Sequence, residues 1–202
     1  MWRADLWARI RRAASSSSLP DRAVGPSSPP ISDELVDVLR RSQQLGFLGA
    51  RPIEQVIEHA RSFVTALEEL DVTGSVLDLG SGGGVPGLVI AHDQPTWNVT
   101  LLDRRRTRTD FLARMVRRLG WQDRVDVRTG DAGIVDGPEF DAVVARGFGP
   151  PVHTLTTALG WVRQDGYVVI SEPPAGDRWA GITVSGATRL LSAPAVSVFR
   201  RL

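Results

Sequence analysis

The residues best suited to chemistry lie in one stretch, Asp78-Leu-Gly-Ser-Gly-Gly-Gly-Val-Pro-Gly87. It places one carboxylate and five glycines within ten residues, after the apolar Val76-Leu77 and before the apolar Leu88-Val89-Ile90. That order reads as a buried strand, a tight turn and a helix start. Glycines let the backbone take positive φ and let a ligand approach it closely. Pro86 suits the first helical turn, and the helix N-terminus directs unpaired N–H groups at whatever sits on the turn.

Two ligand classes fit such a turn. Gly82-x-Gly84-x-x-Gly87, with Asp103 about 20 residues on, satisfies the dinucleotide fingerprint. Asp78-x-Gly80-x-Gly82-x-Gly84 is equally the acidic, glycine-spaced pattern of S-adenosylmethionine sites. A second apolar run, Val99-Thr100-Leu101-Leu102, ends in Asp103, where a carboxylate can accept both hydroxyls of a ribose in either case. Asp78 either touches the ligand or braces the turn through hydrogen bonds.

Composition removes other chemistries. The chain has 202 residues, 42% hydrophobic and 23% charged, which suits one globular domain. It has no cysteine, hence no disulfide and no thiolate chemistry. All 24 basic residues are arginine. Without lysine there is neither a Walker phosphate loop nor a Schiff-base amine. The three histidines, His59, His92 and His153, are far apart in sequence, so no metal site is expected. No run of about 18 apolar residues and no secretory leader is visible, so a cytoplasmic protein off the membrane is expected. Net charge is only +1, but Arg104–Arg128 holds nine arginines against three acids.

The elements that must position these groups are legible from periodicity. Residues 1–30 read as a short basic helix over 1–12 and a Ser/Pro-rich linker. The remainder, 31–202, reads as one catalytic domain. Ser32 caps a first helix that Gly46 ends, and Pro52 opens a second running to Leu70. Both are expected to pack over one edge of the sheet formed by the later strands. Strands are expected at 75–79, 98–102, 125–129, 141–145 and 166–170, alternating with helices at 86–92, 105–119 and 151–162. Two last strands, near 182–190 and 195–200, form an antiparallel hairpin. The fold class is α/β: a doubly wound, mostly parallel seven-stranded sheet with a helical cap.

In such sheets ligands bind at the carboxyl ends of the strands near the topological switch. The residues there are Gly80–Gly84, Asp103, Asp131 and Arg146. Several carboxylates around one ligand suit ribose hydroxyls and an adenine amino group, and suit a pyrophosphate poorly. A dehydrogenase would also need a substrate domain with an acid/base residue, usually histidine, and His153 lies outside any such domain.

Three stretches then carry a resemblance: Asp78 to Gly87, Leu101-Leu102-Asp103 with Arg106 and Phe111-Leu112, and Phe140-Asp-Ala-Val-Val-Ala-Arg-Gly-Phe148. Together they resemble the GidB/RsmG family over about residues 33–200. These are class I methyltransferases that use S-adenosylmethionine on guanine N7 of bacterial small-subunit ribosomal RNA. The resemblance implies cofactor contacts from Gly80 and Val85, with Ser81, Gly82 and Gly84 in the same turn. It implies Asp103 on the ribose, Asp131-Ala132 on the adenine, and Arg146 where cofactor and substrate meet. His59 falls where the family has a histidine.

Three stretches depart from the family. Gly46-Phe47-Leu48-Gly49 replaces an Asn-Leu-Thr stretch, Glu58 replaces a basic residue before the histidine, and Ser171-Glu172-Pro173 replaces Lys-Gly. Glu172 is expected at the substrate rim, either accepting N–H donors of the target base or marking a weakened RNA site. Arg104, Arg105 and Arg108 are expected to meet RNA phosphates, unless their helix is merely solvated. Guanine N7 carries a free lone pair, so no general base, and no catalytic residue in that sense, is expected. The alternatives are a non-catalytic RNA- or ribosome-binding relative that keeps the pocket, and a small-molecule methyltransferase. A monomer is expected.

Overall fold

The computed structural model describes residues 29–134, 137–173, 177–192 and 195–202. The basic helix expected over 1–12 lies outside the described residues. Seven strands form one sheet in the order β3-β2-β1-β4-β5-β7-β6. They are β1 (Ser75–Leu79), β2 (Asn98–Asp103), β3 (Val125–Thr129), β4 (Phe140–Ala145), β5 (Val162–Ser171), β6 (Ala187–Ser192) and β7 (Val196–Arg201). The first five run parallel, and β7 is antiparallel to both β5 and β6. The expected hairpin is there, shifted a few residues toward the C-terminus, because the chain is irregular over 182–184 and turns at Gly186 (φ +79°), where the Ala187 N–H donates to the Val184 carbonyl.

Five helices flank the sheet: α1 (Asp33–Gln44), α2 (Ile53–Glu69), α3 (Gly87–Asp93), α4 (Arg106–Arg118) and α5 (Pro151–Leu159). Ser32 caps α1 by accepting the Leu35 N–H at 3.3 Å. α5 ends before Gly160, earlier than its apolar pattern suggests, because Val162 already begins β5 and the Trp161 carbonyl accepts the Phe140 N–H at 2.8 Å. β5 is correspondingly longer than expected: Val162 pairs with Phe140 before a register shift, and Tyr167 then pairs with Ala142.

Two apolar layers sandwich the sheet, fed by alternate residues of each strand. On one face Val76, Val99, Leu101, Val144 and Val169 pack under α1 to α4. On the other, Leu77, Leu102, Val143, Val168 and Ile170 pack under α5, Trp161 and Trp179. The first two helices therefore cover a face of the sheet, not an edge as expected. α2 lies on α3, β5 and β7. Arg61 of α2 holds Asp93 at the end of α3, with Nε 2.9 Å from Oδ2.

Register aligns the site. Leu79 stands beside both Leu102 and Ala145, and Asp103 stands beside Thr129. Gly80, Asp103, Gly130 and Arg146 therefore emerge at one carboxyl edge, astride the switch between β1 and β4.

Candidate active site

The turn after β1 hangs on its neighbour. The Gly80 and Ser81 N–H groups both donate to the Leu102 carbonyl, at 2.8 and 3.0 Å. Gly80 has φ +73°, and a Cβ there would lie 2.7 Å from the Phe148 ring. Gly83 needs its missing side chain for another reason: a Cβ would meet Leu48 and Ser42 at 2.5 Å. The connection between α1 and α2 thus lies on the turn, and Ser42 Oγ donates to the Gly83 carbonyl at 2.9 Å. Gly46-Phe47-Leu48-Gly49 is a cover for this turn, with Phe47 set edge-on to Phe111 of α4.

Asp78 is fully buried beneath the turn. Its Oδ2 accepts the Gly87 N–H at 2.9 Å, and its Oδ1 has no partner among the described residues. Burial pushes this carboxyl up to about 7, and the nearby Asp103 adds to the rise. The Gly87 N–H and the charge of Arg146 oppose it.

Arg146 follows β4 and is half-buried. Every other half-buried arginine in the described segments has a carboxylate or carbonyl partner. Arg146 finds none among the described residues. Burial holds its guanidinium below the usual value, Asp78 pulls it back up, and the like charge of Arg51 pushes it down. Burial, joined by the like charges of Arg146 and Arg51, keeps His59 on α2 below its ordinary value, and its Nδ1 has no partner among the described residues. A buried acceptor without a partner, Asp78 Oδ1, and a half-buried guanidinium with no carboxylate or carbonyl bond among the described residues thus lie close enough to feel each other's charge, a pairing that suits a zwitterionic amino-acid group.

Asp103 is anchored. Its Oδ2 accepts the Gly82 N–H at 2.9 Å, its Oδ1 accepts the Arg105 N–H at 2.8 Å, and Arg108 Nη1 lies 3.5 Å from Oδ2. Beside it opens a cavity of about 370 Å³, lined by Gly80, Asp103, Arg104, Arg105, Asp131 and Phe148 among others. That volume suits a nucleoside-sized ligand. Asp131 folds over its own loop and accepts the Gly133 N–H at 3.0 Å. The Ala132 carbonyl is held by Trp161 Nε1 at 2.9 Å. A second cavity, about 310 Å³, lies near the amino ends of the strands, but its Arg163 and Arg200 pair with its own Asp141 and Asp165.

The structure gathers Gly80, Asp103, Arg104, Arg105, Arg108, Asp131 and Ala132 around one cavity. Asp78, Ser81, Gly82, Gly84 and Val85 lie in the turn beside it and are buried or nearly so. Two expectations need correction. Arg108 is turned inward onto Asp103 and is not a free cation of an RNA face. Glu172 does not present a free carboxylate at the rim. It is 9% exposed, its Oε1 accepts Trp179 Nε1 at 2.6 Å, and its Oε2 accepts Arg178 Nε at 3.0 Å. Its oxygens are already engaged by its own chain, because Arg178 and Trp179 fold back under the end of β5.

The sequence reading missed Ser42, Leu48, Phe148, His153 and Trp161. Glycine spacing says nothing of what lies on the glycines, and only Phe148, two residues past Arg146, carried a signal. Among the described residues no group of acids and histidines is placed to hold a metal, and no helix is long and apolar enough to cross a membrane.

Comparison with known proteins agrees with this geometry. The GidB family, described as rRNA small subunit methyltransferase G, matches residues 34–172. A protein of that name from Halorhodospira halophila is 30% identical over 129 residues, covering 64% of this chain and 61% of its own. One from Neisseria meningitidis is 31% identical over 134 residues, covering 65% and 64%. The chain thus spans about three fifths of the length of these curated relatives. A methyltransferase structure from Geobacter sulfurreducens superposes with TM-score 0.66 at 14% identity, covering 86% of this chain and 92% of that one, which shows the fold.

Proposed function

The chain belongs to the GidB family of rRNA small subunit methyltransferase G, and from that premise we propose that it transfers a methyl group from S-adenosylmethionine to N7 of a guanine in small-subunit ribosomal RNA. The observation that carries the reading is the cavity that sets Asp103 and Asp131 around the open side of the glycine turn. Two carboxylates there favour ribose hydroxyls and an adenine amino group over a pyrophosphate.

The residues fit the cofactor. Its adenosine half belongs in the cavity, with ribose hydroxyls donating to the lone pairs that Asp103 keeps beyond its two backbone bonds. Its amino-acid half belongs at the unpartnered Asp78 Oδ1, which accepts from an ammonium, and at Arg146, which donates to a carboxylate. When bound, S-adenosylmethionine supplies a methyl group activated by a sulfonium. Guanine N7 attacks with its own lone pair and loses no proton, so none of these side chains acts as a base. Their contribution is placement: the turn, itself held by the cover of Phe47 and Leu48, and Arg146 would hold the reactants in line, a kind of positioning that supplies several kcal/mol or more. Arg104 and Arg105, exposed at the mouth, are suited to RNA phosphates.

Isothermal titration tests the cofactor assignment. Binding of S-adenosylhomocysteine with no response to NAD is expected; tight NAD binding and no response to S-adenosylhomocysteine would overturn it.

A further inference from the structure

Phe148 and His153 are not accounted for by the glycine turn or by its carboxylates. Gly147, with φ +65°, turns the chain after Arg146 so that Phe148 folds back over Gly80. Its ring comes so close that position 80 has no room for a Cβ. His153, in the first turn of α5, lies parallel behind it, with ring centroids 5.8 Å apart and planes 14° from parallel. Both rings line the same cavity as Asp103 and Asp131. Phe148 is half-buried at the margin of the second apolar layer and His153 is exposed, so this pair of rings stands where that layer meets the polar cleft. Phe148 and His153 are the aromatic rings of this lining, whose other members are glycines, Leu102, Ala132, the carboxylates of Asp103 and Asp131, and three arginines.

We propose that Phe148, backed by His153, is a platform on which a purine ring stacks. The inference rests on the methyltransferase reading above. Its chemistry is general: a base lifted out of its helix, or the base of a bound nucleoside, is held by stacking on an aromatic face together with hydrogen bonds to its edge. Two purines can come to this cleft, the adenine of the cofactor and the target guanine, and one set of variants separates them.

The variants are Phe148→Leu, which keeps the bulk over Gly80 and removes the π-face, and Phe148→Tyr, which keeps the face. Melting temperatures establish that each is folded. Affinity for S-adenosylhomocysteine is measured by titration, and kcat and KM for small-subunit ribosomal RNA by transfer of labelled methyl groups. If adenine stacks here, Phe148→Leu weakens S-adenosylhomocysteine binding about tenfold, as expected for loss of one stacking contact, and Phe148→Tyr stays within about threefold of wild type. If guanine stacks here, S-adenosylhomocysteine affinity holds while KM for the RNA rises about tenfold, again restored by tyrosine. Phe148→Leu within about twofold of wild type in both assays overturns the platform, and so does a tyrosine variant as impaired as the leucine one. Wild-type protein that binds no S-adenosylhomocysteine overturns the methyltransferase reading and the platform with it.

Discussion

Asp78 and Gly87 are joined by a 2.9 Å hydrogen bond that uses only one of the two carboxylate oxygens. The other is buried with no partner among the described residues. The bond ties the end of β1 to the start of α3, and a Cβ on Gly87 would fall 2.6 Å from the same oxygen. Asp78 therefore braces the turn, one of the two roles weighed from the sequence, and its other oxygen is left free for the second.

This arrangement fixes the sign of a pH effect. Asp78 is raised in the folded state from an ordinary 3.8 to about 7. Its contribution to stability is fully present below about pH 4 and is lost as pH rises through about 7. Asp78→Asn removes that dependence, so the stability of wild type relative to the variant should fall between pH 4 and 7. Chemical denaturation across that range measures it; a flat difference would contradict the buried, half-satisfied carboxylate.

Asp103 holds the turn and, on this account, the ribose. Asp103→Ala should lose about 1–3 kcal/mol of S-adenosylhomocysteine affinity, the range for removing charge-assisted hydrogen bonds. Titration gives the number. Unchanged affinity would place the ribose elsewhere.

The cover over the turn is tested at Gly83. A methyl group there has to displace Leu48 and Ser42, so Gly83→Ala should cost about 1–3 kcal/mol of stability, as overpacking does. Urea denaturation would show it. Ser42→Ala, which leaves the Gly83 carbonyl without its donor, should cost less.

Glu172 should act on stability and not on ligand affinity. Glu172→Ala strands Trp179 Nε1 and the partly exposed Arg178, and roughly 1–3 kcal/mol should be lost. Melting should fall while S-adenosylhomocysteine affinity stays the same. A variant of full stability and altered methyl transfer would return Glu172 to the substrate rim.

How far the sequence could be read depends on the physical content of each signal. The strands that carry the site lie where apolar runs end in Asp78, Asp103 and Arg146, because a buried parallel strand must be apolar and must stop where the ligand begins. The glycine turn was legible for the same reason. Side-chain direction was not. Arg108 and Arg105 look alike in sequence, yet one helical turn swings Arg108 onto Asp103. Glu172 looked like a free carboxylate because its partners come from a segment with no periodic pattern. α5 stops short of its apolar pattern because Val162 already belongs to β5, and Trp161 between them holds the Ala132 carbonyl, a contact between residues 29 positions apart that no local pattern encodes.

Arg104 and Arg105 lie exposed at the mouth of the cavity. Reversing both to glutamate should weaken binding of small-subunit ribosomal RNA and flatten the slope of log affinity against log salt by about one unit per lost phosphate contact. Filter binding between low and moderate salt measures the slope, and an unchanged one would make these arginines solvated bystanders.

The central claim is the reaction. Purified protein is incubated with labelled S-adenosylmethionine and small-subunit ribosomal RNA that lacks the modification, and the labelled nucleoside is identified by mass spectrometry. The account predicts label in a single 7-methylguanosine, lost with Arg146→Ala. Label in another nucleoside, or none from protein that binds S-adenosylhomocysteine normally, would contradict it.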